Sequence, residues 1–125
     1  MEQRFLIDTN VVIDFSHGIF SLSAKKFVAN ILNEEPIISA ITKIELLGFS
    51  FVPSQIENFV RYASIIGIND NIIEKTIEIR KHCRIKLPDA IIAASALVHN
   101  LTLLTRNIDD FRNVENLRVI NPHDQ

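Results

Sequence analysis

With 125 residues, nearly half of them hydrophobic and 22% charged, the chain has enough apolar material for one core and too little for two, so a single domain over residues 1–125 is expected. A formal charge of −2 excludes a basic surface spread over the whole domain and leaves room for a local basic patch. The lone Cys83 excludes an internal disulfide, and no stretch has the composition of a linker or a disordered tail.

In chain order, Phe5 to Ile7 are strong strand formers, followed at once by Asp8-Thr9-Asn10, which favour turns and helix N-caps. Phe27, Val28, Ile31 and Leu32 recur at helical spacing within Ala24 to Leu32, with Ser21 or Ser23 as the cap. Pro36 interrupts that pattern. Ile37 and Ile38 then suit a short buried strand, and Ile41 to Phe49 a helix ending near Gly48 to Ser50. Pro53-Ser54-Gln55 restarts a helix carrying Ile56, Phe59, Val60 and Ala63 on one face, and Gly67 to Asn69 is expected to form a turn or short strand. A further helix is expected from Asp70 to Ile85, and another opened by Pro88 runs to Val98, with Asn100 at its exit. Leu101 to Leu104, Ile108 to Phe111 and Leu117 to Ile120 complete the series as strand, helical turn and strand.

Strands separated by helices and built from continuous apolar runs predict an α/β fold with a mostly parallel sheet covered on both faces. In such sheets ligands bind beyond the carboxyl ends of the strands. The longest apolar runs, such as Ala90 to Val98, are too short to cross a bilayer, and Glu2 and Asp8 stand where a signal peptide carries basic residues. No membrane association and a cytoplasmic location are the expectation.

The carboxylates carry the chemistry. Asp8 falls where the first strand ends. Thr105-Arg106-Asn107 follows the strand Leu101 to Leu104 in the same way, so both open onto one rim of the sheet. Asp89 follows Pro88 in the first turn of a helix, where free backbone amides favour its charge. Glu45 lies between Ile44 and Leu46-Leu47 in a segment fit for burial, and so calls for a partner or a wet cleft. Acids gathered in one cleft repel one another unless a cation sits among them, and oxygen donors suit Mg²⁺ or Mn²⁺ better than Zn²⁺. Such an ion suits phosphodiester hydrolysis. Taken singly, each acid is more often a cap or a solvated side chain than a catalyst.

Four segments in order change that balance: Phe5-Leu6-Ile7-Asp8-Thr9-Asn10, Ser39-Ala40-Ile41-Thr42-Lys43-Ile44-Glu45-Leu46, Lys86-Leu87-Pro88-Asp89-Ala90-Ile91-Ile92-Ala93-Ala94, and Leu103-Leu104-Thr105-Arg106-Asn107-Ile108-Asp109-Asp110-Phe111. Over almost its full length the chain resembles PIN-domain ribonucleases, specifically the VapC-type toxins of type II toxin–antitoxin pairs. The resemblance implies a PIN-like fold and a metal-dependent endoribonuclease toxin in which Asp8, Glu45 and Asp89 hold Mg²⁺ or Mn²⁺. It also implies a homodimer, an RNA substrate and a cognate VapB-type antitoxin that inserts a segment into the active-site groove. The sequence departs from the pattern at the fourth site position. Many relatives place an aspartate two residues after the threonine, and Asn107 stands there, with Asp110 in the following turn as the alternative carboxylate.

Thr9, Asn10, Thr42 and Thr105 are candidates to orient the carboxylates, or equally turn and cap residues. Arg80, Lys81, Arg84 and Lys86 form a basic stretch leading into Asp89 that suits substrate phosphates or a solvated helix face. The four histidines share no metal-binding spacing and receive no catalytic role. Phe49 and Phe51 are candidates for a partner-binding groove. Two other readings compete. A phospho-acceptor receiver domain also gathers acids at strand ends, but it has no use for Glu45 on a helix and needs a late lysine where Arg106 stands. A non-catalytic PIN module is suggested by Asn107 and opposed by the three acids.

Overall fold

Five short strands and seven helices alternate along residues 3–125, the part of the chain that the computed structural model describes. They are β1 (Phe5–Ile7), α1 (Thr9–Ser16), α2 (Leu22–Asn33), β2 (Ile37–Ser39), α3 (Ala40–Leu47), α4 (Ser54–Tyr62), β3 (Ser64–Ile66), α5 (Asp70–His82), α6 (Leu87–Val98), β4 (Thr102–Leu104), α7 (Ile108–Phe111) and β5 (Val119–Ile120), followed by a 3-10 turn at Pro122–Asp124.

Short polar residues set the starts of the helices. The side chains of Ser21, Ser39 and Asn69 accept from the amides of Ala24, Thr42 and Ile72 at 3.2, 3.1 and 3.0 Å, each satisfying a donor that the first turn leaves free. Asp8 caps α1 by accepting from the Thr9 amide at 2.9 Å. Asn100, at φ 55°, lets the chain leave α6 in the left-handed region that asparagine tolerates.

All strand pairs are parallel, in the order β3-β2-β1-β4-β5. The chain thus winds outward from β1 in one direction and then returns to add β4 and β5 on the other side, so the sheet changes direction between β1 and β4. This order differs from the 2-1-3-4-5 order of receiver domains and removes that reading.

Period-two alternation divides the strands between two cores. Leu6, Ile37 and Leu103 pack with Ile72 and Ile79 of α5, Ala90, Ala93 and Ala94 of α6, and Phe111 and Val114. Ile7, Ile38 and Leu104 pack on the opposite face with Val11 and Val12 of α1, Val28 of α2, and Ile56 and Val60 of α4. The small residues of α6 bring its backbone close to the sheet, and all four of Ala90, Ala93, Ala94 and Ala96 are fully buried. Helix α3 straddles the sheet's carboxyl rim: its Ile41 joins the first core and its Leu46 the second. No described helix is long and apolar enough to cross a membrane.

The α/β class with a parallel sheet is as expected, and several boundaries shift. Asp8-Thr9-Asn10 does more than turn the chain, since α1 begins there. Of the turn or short strand expected at Gly67 to Asn69, the strand lies earlier, at Ser64–Ile66, because pairing with β2 in the register Ile38↔Ile65 selects those residues, and Gly67 to Asn69 connect it to α5. Helix α5 ends at His82, not Ile85, because Cys83 is extended.

Candidate active site

Asp8 is the first residue past β1. Its amide donates to the Leu104 carbonyl at 2.9 Å, so the backbone is still fixed by the sheet where the carboxylate begins. The side chain is nearly buried and held from three sides: by the Thr9 amide at 2.9 Å, Thr105 Oγ1 at 2.8 Å and Asn10 Nδ2 at 3.1 Å. Burial nevertheless pushes its pKa above the ordinary carboxylate value, because the loss of water outweighs those donors and the charge of Glu45 adds to it.

The Thr105-Arg106-Asn107 turn beyond β4 is laced to the same place. Thr105 is fully buried, accepts from Asn10 Nδ2 at 3.0 Å and from the Asn107 amide at 3.1 Å, and donates its own proton to Asp8. Asn10 Oδ1 accepts from the Arg106 amide at 2.9 Å. Among the described residues no buried side-chain nitrogen or oxygen lacks a partner, and the bonds of this seam fix the separation between the ends of β1 and β4.

Glu45 reaches the cleft from α3. Sequence pattern predicts its segment to be buried, but Glu45 is exposed, since α3 lies across the rim and turns Ile44 and Leu47 outward as well. The Thr9 hydroxyl donates to Glu45 Oε1 at 2.5 Å and lies 3.2 Å from the Thr42 hydroxyl. Gly48 lines the same cleft, and a Cβ there would meet the Ile44 carbonyl oxygen at 2.7 Å, so the close exit from α3 requires glycine.

Asp89 arrives on the first turn of α6. Partial burial raises its pKa to about 6, with further upward pressure from the charges of Asp8, Asp110 and Glu45, and Lys86 opposing. The cleft, of about 500 Å³, is lined by Asp8, Glu45, Asp89 and Asn107 together with Thr9, Asn10 and Phe49. The Asn107 side chain makes no capping hydrogen bond to α7. Asp110 does not line this cleft. It shares with Asp89 an adjoining groove lined by Arg80, Arg84 and Lys86 together with Asp109 and Asp110.

Among the described residues, no three His, Cys, Asp or Glu side chains already stand as a closed ligand set for an ion. The donor chemistry still fits a hard divalent cation: the cleft offers oxygens only, and Asp8 and Asp89 each feel the neighbouring acids as unfavourable. An arrangement that repels itself when empty is one that a cation stabilises.

One cluster beside the site gave no sequence signal. Asp14 is buried on α1 and takes Arg106 Nη1 on both carboxylate oxygens at 2.8 Å, with His123 Nε2 at 2.9 Å from Oδ2. These residues lie 92 and 109 positions from Asp14, beyond the reach of any local pattern. The only hint is an acid within the apolar run of Val11 to Phe15.

Comparison with known proteins bears on the family and the fold. The PIN domain profile matches residues 5–117. The chain is 28% identical to Ribonuclease VapC1 of Rickettsia felis, over 92% of this chain and 93% of that one. A chain of a toxin–antitoxin complex from Klebsiella pneumoniae superposes with a TM-score of 0.72 at 31% identity, covering 96% of this chain and 98% of the other. The DNA-bound VapBC of Salmonella typhimurium shares the fold, with a TM-score of 0.77 at 21% identity over 97% and 99% of the two chains. With the profile spanning nearly all of the sheet and every segment that supplies the cleft, the chain belongs to the PIN domain family and resembles its VapC members.

Proposed function

We propose that this chain is a metal-dependent endoribonuclease toxin that hydrolyses RNA phosphodiester bonds and is neutralised by a cognate VapB-type antitoxin. The observation that carries the reading is the convergence of Asp8, Glu45 and Asp89, from three separate elements, on one cleft at the carboxyl rim of the sheet. The similarity to Ribonuclease VapC1 and to a toxin–antitoxin complex supports it.

Asp8, Glu45 and Asp89 would hold Mg²⁺ or Mn²⁺, with the Asn107 carbonyl as a neutral fourth oxygen. The chemistry such an ion would supply at these residues is Lewis acidity toward the phosphodiester and the attacking water. The protein's own contribution is orientation. Thr105, Asn10 and the Thr9 amide fix the Asp8 carboxylate, and the Thr9 hydroxyl fixes Glu45. Burial and the neighbouring acids raise the Asp89 pKa to about 6 in the metal-free protein, and a cation among the acids would favour its ionised form.

The groove walled by Arg80, Arg84 and Lys86 meets the acidic cleft at Asp89, so RNA entering one continues into the other. Its cations suit the phosphates next to the scissile one. Ile44, Leu47, Phe49 and Phe51 leave exposed apolar surface beside the cleft, suited to an antitoxin segment that covers the acids. A homodimer and a cytoplasmic location complete the reading.

The test is incubation of purified, antitoxin-free protein with total RNA, with and without Mn²⁺, followed by mapping of the cut ends. Discrete cuts that disappear in a chelator are expected; intact RNA under both conditions overturns the reading. For the groove, the Arg80→Glu/Arg84→Glu variant should bind single-stranded RNA about tenfold more weakly and show a salt dependence shallower by about one unit. An unchanged slope in fluorescence anisotropy would remove the groove from the substrate path.

A further inference from the structure

The Asp14 cluster has no place in the reaction as described. A buried carboxylate is costly unless charged and hydrogen-bonded partners surround it, and here two parts of the chain distant in sequence converge to supply them. Arg106 lies within the Thr105-Arg106-Asn107 turn, and its backbone and side chain both hold α1: the amide donates to Asn10 and the guanidinium to Asp14, one helical turn further on. Residues 10 and 14 share a helix face, so Arg106 spans that face like a staple. His123 closes the other side. An ionised carboxylate only accepts, so Nε2 carries the hydrogen that reaches Asp14. The imidazole lies against Phe20, with ring centroids 4.3 Å apart and planes at 31°. Its backbone amide donates to Asn121 Oδ1 at 2.9 Å, and the Ile120 carbonyl before it accepts from the Thr105 amide at 3.0 Å. Strand β5 and the turn after it thus meet the Thr105–Asn107 turn twice, once along the backbone at Ile120 and once through His123 and Asp14.

We infer that Asp14, Arg106 and His123 are positioning residues: a clasp that holds the Thr105–Asn107 turn against α1, and so holds the Thr105 hydroxyl and the Asn107 side chain at their places beside Asp8. The inference rests on the reading of the cleft as the active site. None of the three lines the cleft, so the clasp acts through the turn and not on the substrate.

The test separates positioning from mere stability. Asp14→Leu/Arg106→Met replaces the ion pair with apolar side chains of similar size, an exchange that commonly preserves folding. In metal-free protein, the amides at positions 106 and 107 should exchange with deuterium about tenfold faster, while those of Leu6 and Leu103 in the sheet keep wild-type rates. Mn²⁺ affinity by calorimetry should fall about tenfold, the scale of losing support behind a ligand. His123→Gln retains a donor and should stay near wild type, whereas His123→Ala should move partway toward the double variant. If the double variant does not fold, the comparison of His123→Gln with His123→Ala carries the same two readouts. Exchange and ion binding are read without RNA, so a protein that fails to cut RNA defeats the functional reading and leaves the clasp to be judged separately. Wild-type exchange at 106 and 107 together with wild-type Mn²⁺ affinity, in the folded double variant or in His123→Ala, overturns the inference.

Discussion

Asp89→Asn is expected to lose Mn²⁺-dependent RNA cleavage by at least about 100-fold while becoming more stable without metal. Asp8→Asn should lose cleavage alike but without the gain in stability, because an amide nitrogen would face the Asn10 and Thr105 donors. The loss follows because a charged oxygen ligand has a larger effect than the supporting contacts behind ligands, whose removal alone costs about 10–100-fold. The gain follows from the pKa of Asp89, which is raised from 3.8 to about 6, chiefly by burial and then by Asp8, Asp110 and Glu45. A carboxyl whose folded-state pKa is raised favours the fold below its unfolded value and loses that contribution as pH rises through the folded one. In the metal-free protein, stability should therefore decline between about pH 4 and pH 6 and remain lower at neutral pH. The full shift corresponds to about 3 kcal/mol, and screening at this partly exposed site leaves about 1–2 kcal/mol. Asparagine removes the penalty. Thermal unfolding in chelator at pH 5 and pH 7.5, with and without the substitution, measures it. A metal-free wild type that matches Asp89→Asn at pH 7.5 would show that the acids do not oppose one another, and retained cleavage by both purified variants would defeat the proposed mechanism.

Asn107→Asp should have the opposite signature. Asn107 lines the cleft with an amide that caps nothing, so the substitution removes no contact and adds one negative charge to a group that already repels itself. Mn²⁺ should bind about tenfold more tightly, since a carboxylate replaces a neutral oxygen near a dication. The metal-free protein should lose about 1 kcal/mol, lowering its melting temperature by about 4 °C. Calorimetry with Mn²⁺ and melting curves in chelator test the two halves. Unchanged affinity would mean that position 107 does not face the ion, leaving Asp110 as the carboxylate to examine. The structure gives that residue a different position, on the groove shared with Asp89 and outside the cleft of Asp8 and Glu45.

What the sequence discloses depends on how local the controlling physics is. Phe5–Ile7 and Ile108–Phe111 appear where they are expected, because apolar runs bounded by capping or turn residues carry their own boundaries. The position of β3 did not follow from its neighbourhood. It is an edge strand with Ser64 and Ile65 exposed, and only its pairing with β2 fixes which three residues extend. Glu45 shows a second kind of gap. Flanking leucine and isoleucine suggest an interior, but α3 crosses the rim, so Ile44 and Leu47 face outward with Glu45 while Leu46 stays in the core. The convergence of Asp8, Glu45 and Asp89 was an inference from resemblance and strand ends, and the fold brings them to one cleft. The clasp of Asp14, Arg106 and His123 left only one trace in the sequence, the acid within Val11 to Phe15, because its partners lie far along the chain.

The strand order has a consequence in time. β1 lies inside the sheet, but the neighbour that closes its second edge, β4, is synthesised only after β2 and β3. A nascent chain that has already made β1, β2 and β3 carries an unpaired inner strand and is therefore adhesive at that stage. Until Thr105 emerges, Asp8 also lacks the donor that fixes its carboxylate. Any chemistry that needs the Asp8 carboxylate held in this way waits until β4 has docked against β1.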